Sequence, residues 1–314
     1  MPKIGILYGM ETTFPSALVE RINSKNIAGL AADHLKLDGV KVGGPSRYDV
    51  IVDRISHDVD FYSAFLKSAV LHGAWVINNP FRWAADDKFL HYSIAAKNGI
   101  SVPNTVLIPQ KLHPPGTTSQ SMRNLAFPLN WEAIFEHVKF PAYLKPLRGG
   151  RWMSVQRIES PEQFFAAYDQ TGSACMLLQS AVAFDVFYRV YVVGTQARVV
   201  RYDRQQTQHR RRVSGDGGDA ELHDRLKINA LKLCQALGYD INAVDFAAKN
   251  EHSYIIDSFN LAPNADLHTV GPKNFEWLVD NIAQLAIDRA LGNADSATQL
   301  RPERRFAAAS AGLP

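Results

Sequence analysis

The sequence predicts an α/β protein with a parallel sheet in its N-terminal part and antiparallel sheets with helices after it. Buried-strand and helical patterns alternate over residues 1–80, which is typical of a parallel sheet covered by helices. Pairs of apolar runs joined by short turns follow, and each pair is typical of an antiparallel hairpin. A chain of 314 residues is long enough for two or three small layers of this kind.

In the N-terminal part, the apolar runs are short and end at turn residues, so they are predicted to be buried strands. These runs are residues 3–8, 48–55 and 75–77, the last closed by Asn78-Asn79-Pro80. Two segments with apolar residues at helical spacing are predicted to be the helices between them, and these are 14–23 and 61–71.

The rest of the chain is predicted to contain hairpins, helices and loops. The predicted hairpins pair 142–145 with 153–158, 187–193 with 196–202, and 241–248 with 253–257. The predicted helices are 88–96, 131–138, 161–168, 222–237 and 274–291. Residues 109–126 are predicted to be a mobile loop. The predicted domains are an N-terminal domain 1–86, a linker helix with a first subdomain 87–180, a second subdomain 181–292, and a flexible tail 293–314.

Composition excludes several classes of partner and site. The formal net charge is 34 basic minus 31 acidic residues, or +3, too small to predict a nucleic-acid or membrane partner. The sequence contains neither a signal-peptide pattern nor an apolar run of about 18 residues, so we expect a cytoplasmic protein. Cys175 and Cys234 lie in apolar runs and are predicted to be buried free thiols.

The segment FPAYLKPLRGGRWMSV, residues 140–155, is a candidate phosphate-binding loop. Lys145 ends an apolar strand, and Gly149 and Gly150 allow close approach of backbone amides to a ligand. Amides beside a lysine suit a polyphosphate. The alternative is a solvent-exposed lysine next to an ordinary turn, and a lone glycine pair does not decide between the two.

The segment LLQSAVAFD, residues 177–185, joins a buried strand to a polar stretch. Its backbone groups could face the edge of an adenine, and Asp185 could bind ribose hydroxyls. The alternative is a linker between domains without a ligand.

The third predicted hairpin carries oxygen ligands at its strand ends. Asp245 and Asp257 are expected to lie close across the hairpin, with Asn260 after them. Carboxylate and amide oxygens suit Mg²⁺, which keeps waters and phosphate oxygens as its other ligands. The alternative is a pair of solvated strand ends, but both acids adjoin apolar residues, and burying unpaired carboxylates there would be costly.

Five motifs follow one another along the chain, and their order resembles a known superfamily. They are ADDKFLHYSIAAKNGISVPNTVLI, LKP with RGG, LLQSAV, FYRVYVVG with ARVVRYD, and AVD with IIDSFN. From Asp87 to Asn260 the chain resembles the ATP-grasp superfamily, nearest the group of glutathione synthetase and the ribosomal-protein glutamate ligases. The resemblance implies an ATP-grasp fold preceded by the parallel-sheet domain.

The resemblance also implies roles for individual residues. It implies ATP-binding residues at Lys88, Lys145, Gly149, Gly150, Gln179, Ser180, Ala181, Val182 and Asp185. It implies Arg189 and Arg201 near phosphate and substrate, and Asp245, Asp257 and Asn260 as ligands of Mg²⁺, with two ions expected. Arg54, after a predicted strand, and Arg210, Arg211 and Arg212 are further candidates for binding an anionic substrate.

The implied function is ATP-dependent ligation of a small-molecule or peptide carboxylate to an amine through an acyl phosphate. Two alternatives stay open at this stage. Small-molecule kinases, including inositol-phosphate kinases, share the fold, and a nucleotide-binding protein without turnover would keep the same motifs. The sequence does not identify the acid or the amine, and it leaves a homo-oligomer open.

The metal motif departs from the superfamily pattern, in which one residue separates the acid from the asparagine. Here two residues separate Asp257 from Asn260. Because side chains alternate along a strand, Ser258 would share a face with Asn260, and Asp257 would point away. We favour a bulge at Ser258-Phe259 that returns Asp257 to the ion. The alternative places Ser258 at the site and weakens metal binding.

Overall fold

The computed structural model describes residues 1–83, 87–148, 155–202, 220–249, 251–258 and 260–292. The strands in these ranges are β1 Lys3–Leu7, β2 Ala31–His34, β3 Val50–Asp53, β4 Trp75–Ile77, β5 Thr105–Ile108, β6 Ala142–Pro146, β7 Gln156–Ile158, β8 Met176–Ser180, β9 Val186–Val193, β10 Gln196–Tyr202, β11 Ile241–Lys249 and β12 His252–Asp257. The helices are α1 Phe14–Ser24, α2 Asp60–Leu71, α3 Pro80–Trp83, α4 Lys88–Lys97, α5 Trp131–Val138, α6 Pro161–Tyr168, α7 Ala220–Leu237, α8 Leu267–Val270 and α9 Pro272–Ala290.

The chain divides into two compact units made of separate stretches of sequence. The first unit is Met1–Ala85, Arg189–Ala243 and Leu261–Pro314, and the second unit is Asp86–Tyr188 and Val244–Asn260. The domain boundaries given above, which follow the chain in order, stay a prediction.

The first unit contains a parallel sheet of strand order β2-β1-β3-β4. Strands β1, β3 and β4 are almost entirely buried, since helices pack against them, including α2 and the long helix α9. The core includes Ile51, Leu66 and Val76, which are at most 2% exposed. This sheet confirms the predicted parallel N-terminal layer.

The second unit contains an antiparallel sheet of strand order β5-β8-β6-β7. Helices α5 and α6 pack on it, and Phe164 and Leu178 are fully buried in the core between them. Ser160 caps α6 by accepting a hydrogen bond from the amide of Gln163, and Pro161 occupies the first turn.

The remaining sheet has the strand order β10-β9-β11-β12, and β11 pairs with β12 antiparallel. Together the three sheets confirm the predicted α/β class with a parallel sheet followed by antiparallel ones. Within the described ranges, the helices are too short or too polar to cross a membrane.

Several local predictions need correction. Strand β2 was missed because Ala31–His34 is short and half polar, and it lies at the sheet edge with only β1 as a neighbour. The 109–126 loop includes a turn of 3-10 helix at Ser119–Met122. Cys234 is buried as predicted, but Cys175 is only partly buried. The predicted tail 293–314 lies outside the described residues.

Candidate functional site

The second unit gathers two lysines and two aspartates from separate stretches of sequence. Lys88 is the first residue of α4, Lys145 lies near the end of β6, and Asp245 and Asp257 lie on the hairpin of β11 and β12. The ammonium of Lys145 lies 3.5 Å from the carbonyl of Ile256, the residue before Asp257, and the charge of Asp257 acts to raise the pKa of both lysines. We call these four residues the lysine–aspartate cluster.

Lys88 is placed by the start of its helix. Asp87 caps α4 by accepting a hydrogen bond from the amide of Leu90 at 2.8 Å. The ammonium of Lys88 donates to the carbonyl of Pro146 at 3.2 Å, so it lies beside the end of β6. Burial lowers the pKa of Lys88, and the charge of Asp257 acts in the opposite direction.

Lys145 is buried, in contrast to the alternative of a solvent-exposed lysine. Its side chain donates to the hydroxyl of Tyr92 at 2.6 Å and to Oε1 of Gln179 at 2.7 Å, and the residue is 6% exposed. Burial lowers its pKa to about 8, Asp257 partly offsets this, and the neighbouring charge of Lys88 adds to it. A bound polyphosphate would compensate this buried positive charge.

Asp245 and Asp257 are direct cross-strand partners. Asp245 pairs with Asp257, whereas the next residue, Phe246, pairs with Ile255. Ile256 therefore has no partner on β11 and is an extra residue on β12. In an unbroken ladder, Asp245 would face Ile256, and Asp257 would point to the other face. The bulge therefore places both carboxylates on one face, where the Cα atoms of opposite residues lie about 4.5–5.5 Å apart.

This bulge is an additional one, and the bulge predicted at Ser258-Phe259 stays a prediction. The additional bulge lies at Ile256, before Asp257, and Phe259 is outside the described residues. Ser258 is 3% exposed, and its hydroxyl lies 3.1 Å from Nδ1 of His91. Asp257 is only half-buried. Ser258 thus faces helix α4, and Asp257 is the residue opposite Asp245.

The donor set fits a magnesium ion. Two carboxylates on one face provide hard oxygen ligands, and Asn260, half-buried three residues later, would add an amide oxygen. Among the described residues, three or more His, Cys, Asp or Glu side chains nowhere gather as a metal cluster. An ion here would therefore take its remaining ligands from water and phosphate, which is typical of Mg²⁺ rather than of Zn²⁺ or Ca²⁺.

The segment proposed to bind adenine is partly occupied by contacts within the protein. The side chain of Gln179 bonds Lys145 and, through Nε2, the hydroxyl of Thr105 at 2.7 Å. The amides of Ser180 and Ala181 donate to the carbonyls of Asn104 and Pro141, both at 2.9 Å. An adenine would therefore have to use the carbonyl groups of this segment or the amide of Val182.

The remaining predicted nucleotide and substrate residues are distributed as follows. Asp185 is exposed, and its amide donates to the carbonyl of Ala248 at 3.0 Å. In the first unit, Arg189 on β9 is half-buried and Arg201 on β10 is exposed. The predicted ligand residues outside the described ranges are Gly149, Gly150, Arg210, Arg211 and Arg212.

Arg54 is not a free guanidinium facing a crevice. In the first unit it is 5% exposed, and it forms a two-pronged ion pair with Glu11 at 2.6 and 2.9 Å. Nη2 also donates to the carbonyl of Pro263. One nitrogen, Nη1, is buried and has no partner among the described residues, so its two N–H groups are left for another acceptor.

Sequence reasoning missed Tyr92, whose hydroxyl contacts Lys145 in the cluster. A signal was available, because Tyr92 follows Lys88 by four residues and therefore shares its face of helix α4. His91, the residue before Tyr92, is 1% exposed, and its Nδ1 faces the hydroxyl of Ser258.

Comparison with known proteins rests on solved structures. No family model matches the sequence, and no curated protein gives a significant match. D-alanine–D-alanine ligase from Bacillus anthracis, complexed with ATP, is 14% identical with a TM-score of 0.62, covering 93% of this chain and 98% of its own. A RimK domain ATP-grasp protein from Sphaerobacter thermophilus is 16% identical with a TM-score of 0.64, covering 91% and 99%.

A third solved structure, the ATP-grasp ligase PsnB with a minimal precursor, Mg and ADP, is 13% identical with a TM-score of 0.58. Its likeness covers 90% of this chain and 98% of the other. Likeness over nearly the full length of all these chains, at such low identity, establishes the fold.

Proposed function

We propose that this chain, which has the ATP-grasp fold, is an ATP-dependent ligase that joins a carboxylate to an amine. One observation carries the proposal: Lys88 and Lys145 lie near Asp257, and Asp257 lies opposite Asp245. Two cations for phosphate and two carboxylates for a metal are the groups that phosphoryl transfer from a nucleotide requires.

In this proposal, each residue of the cluster positions or neutralises charge. Lys88 and Lys145 bind phosphate oxygens of ATP, and Asp245, Asp257 and Asn260 would hold magnesium, with two ions expected. Magnesium, when bound, supplies Lewis-acid stabilisation of the phosphate charge. Lys145 is already held by Tyr92 and Gln179, so its ammonium needs no reorganisation when phosphate arrives.

The proposed reaction has two displacements. A carboxylate oxygen of the first substrate forms a bond to the γ-phosphorus, the bond from that phosphorus to the bridging oxygen breaks, and ADP leaves. The amine nitrogen then forms a bond to the acyl carbon, phosphate leaves with the C–O bond electrons, and the nitrogen loses a proton. Arg189 and Arg201 are proposed to bind the transferred phosphoryl group and the acid, since guanidinium groups match both geometrically.

The proposed substrates are a small-molecule or peptide acid and an amine. Solved structures of similar fold include a D-alanine–D-alanine ligase and the ligase PsnB complexed with a minimal precursor, which supports both small molecules and larger precursors as candidate substrates. The exposed Arg201 favours an acid over a neutral acceptor, because an exposed guanidinium attracts anions.

The test is an ADP-release screen over amino acids, dipeptides and polyamines, with and without Mg²⁺. We expect ADP release that requires an acid, an amine and Mg²⁺ together, with one phosphate released per ADP. ADP release with an alcohol alone would identify a kinase instead. ATP binding that is insensitive to Mg²⁺ and is not followed by ADP release would overturn the enzymatic proposal.

A further inference from the structure

Two consecutive residues of helix α4 hold strand β12 on either side of Asp257. The hydroxyl of Tyr92 donates to the carbonyl of Ile256 at 2.7 Å, and Nδ1 of His91 lies 3.1 Å from the hydroxyl of Ser258. All four residues belong to the second unit. Asp257 is therefore fixed through both of its neighbours, although Asp257 itself is only half-buried.

The bond from Tyr92 falls on the residue that makes the bulge. Ile256 is the extra residue that brings Asp257 opposite Asp245, and its carbonyl accepts the hydrogen bond of Tyr92. A bulged residue is left out of the ladder, so its backbone groups need partners elsewhere. The Tyr92 hydroxyl supplies the short bond to this carbonyl, with the ammonium of Lys145 farther away at 3.5 Å, and it opposes a slip of β12 by one residue.

The same hydroxyl contacts Lys145. It accepts a hydrogen bond from the ammonium of Lys145 at 2.6 Å while it donates to Ile256. A tyrosine hydroxyl has one donor, and that donor is used, so the geometry fixes the direction of both bonds. One buried side chain, 4% exposed, thus joins the lysine of the cluster to the strand that carries Asp257.

We propose that Tyr92 is a positioning residue of the metal site, holding the bulge at Ile256 so that Asp257 lies beside Asp245. The inference rests on the proposed function, because it assumes that these two carboxylates hold the magnesium of a bound nucleotide. Tyr92 touches neither ion nor nucleotide in this role and acts through Ile256. It also keeps Lys145 in place, which couples the lysine to the metal ligands.

A matched control is available in the same unit. The hydroxyl of Tyr168 donates to the carbonyl of Pro109 at 2.7 Å, and Tyr168 is 5% exposed. Tyr92→Phe and Tyr168→Phe therefore each remove a hydroxyl oxygen from a buried side chain. In both cases the hydroxyl donates to a backbone carbonyl at 2.7 Å. Tyr168 packs with Phe164 and Trp131 in the core under α5 and α6, outside the cluster.

The experiment measures ADP binding by calorimetry, with EDTA and with saturating Mg²⁺. The ratio of the two dissociation constants, EDTA over Mg²⁺, is the magnesium enhancement. We expect Tyr92→Phe to lower the enhancement by about 10-fold, as for loss of one hydrogen bond to a critical backbone group. Tyr168→Phe should keep the wild-type enhancement, and it should lower the melting temperature less than Tyr92→Phe, which also removes the acceptor of the buried Lys145 ammonium.

Ser258→Ala provides an independent variant, because it removes the contact with His91 on the other side of Asp257 without adding volume. We expect it to lower the enhancement as well, by a smaller factor. If Tyr92→Phe and Ser258→Ala both keep the wild-type enhancement, the positioning role is overturned and the proposed function stands. If the wild-type protein itself has an enhancement near one, the proposed metal site is overturned, and the role of Tyr92 with it.

Discussion

Asp245 lies directly opposite Asp257 in the β11–β12 hairpin because one extra residue, Ile256, shifts the register between them. Two like charges at opposite positions of a ladder destabilise it, unless cations or a metal neutralise them. Near Asp257, Lys88 and Lys145 supply positive charge. A pairing that is unfavourable alone, and is maintained by a bulge, is typical of a binding site rather than of a solvated strand end.

Asp257→Asn tests the metal ligand assignment. The variant keeps the side-chain volume and removes one negative ligand, so we expect ADP formation to fall on the order of 100-fold. The melting temperature should change little, because Asp257 is half-exposed. The matched control is Asp169→Asn, an exposed aspartate of the same unit that pairs with Lys111 at 2.5 Å, and it should keep wild-type activity. Unchanged Mg²⁺ dependence in Asp257→Asn would contradict the assignment.

Lys145→Met tests the phosphate lysine separately from the metal. Methionine keeps most of the buried stem and removes the ammonium, so we expect ADP affinity in EDTA to fall about 10–100-fold, the loss of one charge-assisted hydrogen bond. Asp257→Asn should not weaken binding in EDTA, which separates the two roles. Lys111→Met, at an exposed lysine of the same unit, is the control. Wild-type affinity of Lys145→Met would show that the lysine does not contact phosphate.

Much of the fold was predictable from the sequence, because its signals are local. Short apolar runs that end at turn residues identified the parallel strands β1, β3 and β4, and short turns identified the hairpins. Strand β2 escaped because Ala31–His34 carries two polar residues and is recognisable only by its pairing with β1. Its assignment depends on tertiary context, which the local pattern does not contain.

The candidate site was less predictable because its geometry depends on one register shift. Counting alternate residues indicated that a bulge was needed to bring Asp257 to the site, but counting does not say which residue is extra. The structure shows an extra residue at Ile256, where Tyr92 of helix α4, far away in sequence, donates to the carbonyl. The pairing of Arg54 with Glu11 was also not predictable from local patterns, because 43 residues separate them in sequence.

Arg54→Met tests whether the buried ion pair anchors the first unit. Removal of the arginine leaves Glu11, whose side chain is 12% exposed, without its cationic partner, and we expect a loss of about 3–5 kcal/mol in the free energy of unfolding. The double variant with Glu11→Gln should lose less than the sum of the single variants, because the pair is then removed together. Urea denaturation measures both. Full additivity would show that the two side chains are not energetically coupled.

Asp266 gives the first unit a pH-dependent contact. Its carboxylate accepts hydrogen bonds from the amides of Thr12, Thr13 and Phe14 at the start of α1, and from the hydroxyl of Thr13. Burial alone would raise the pKa of Asp266, but these bonds outweigh burial and hold the pKa below its ordinary value. The folded state therefore binds the proton more weakly than the unfolded state does.

Asp266 contributes its full stabilisation at pH values above the ordinary pKa of aspartate, about 4. This stabilisation is lost as the pH falls from there through the lowered pKa of the folded state. We expect Asp266→Asn to lower the free energy of unfolding at pH 7 by about 1–3 kcal/mol. The difference from wild type should shrink as the pH falls below about 4. Asp38→Asn, at an exposed aspartate that accepts a hydrogen bond from the amide of Gly39, should match wild type throughout. A difference for Asp266→Asn that stays constant down to pH 3 would show that the bonds do not depend on the charge.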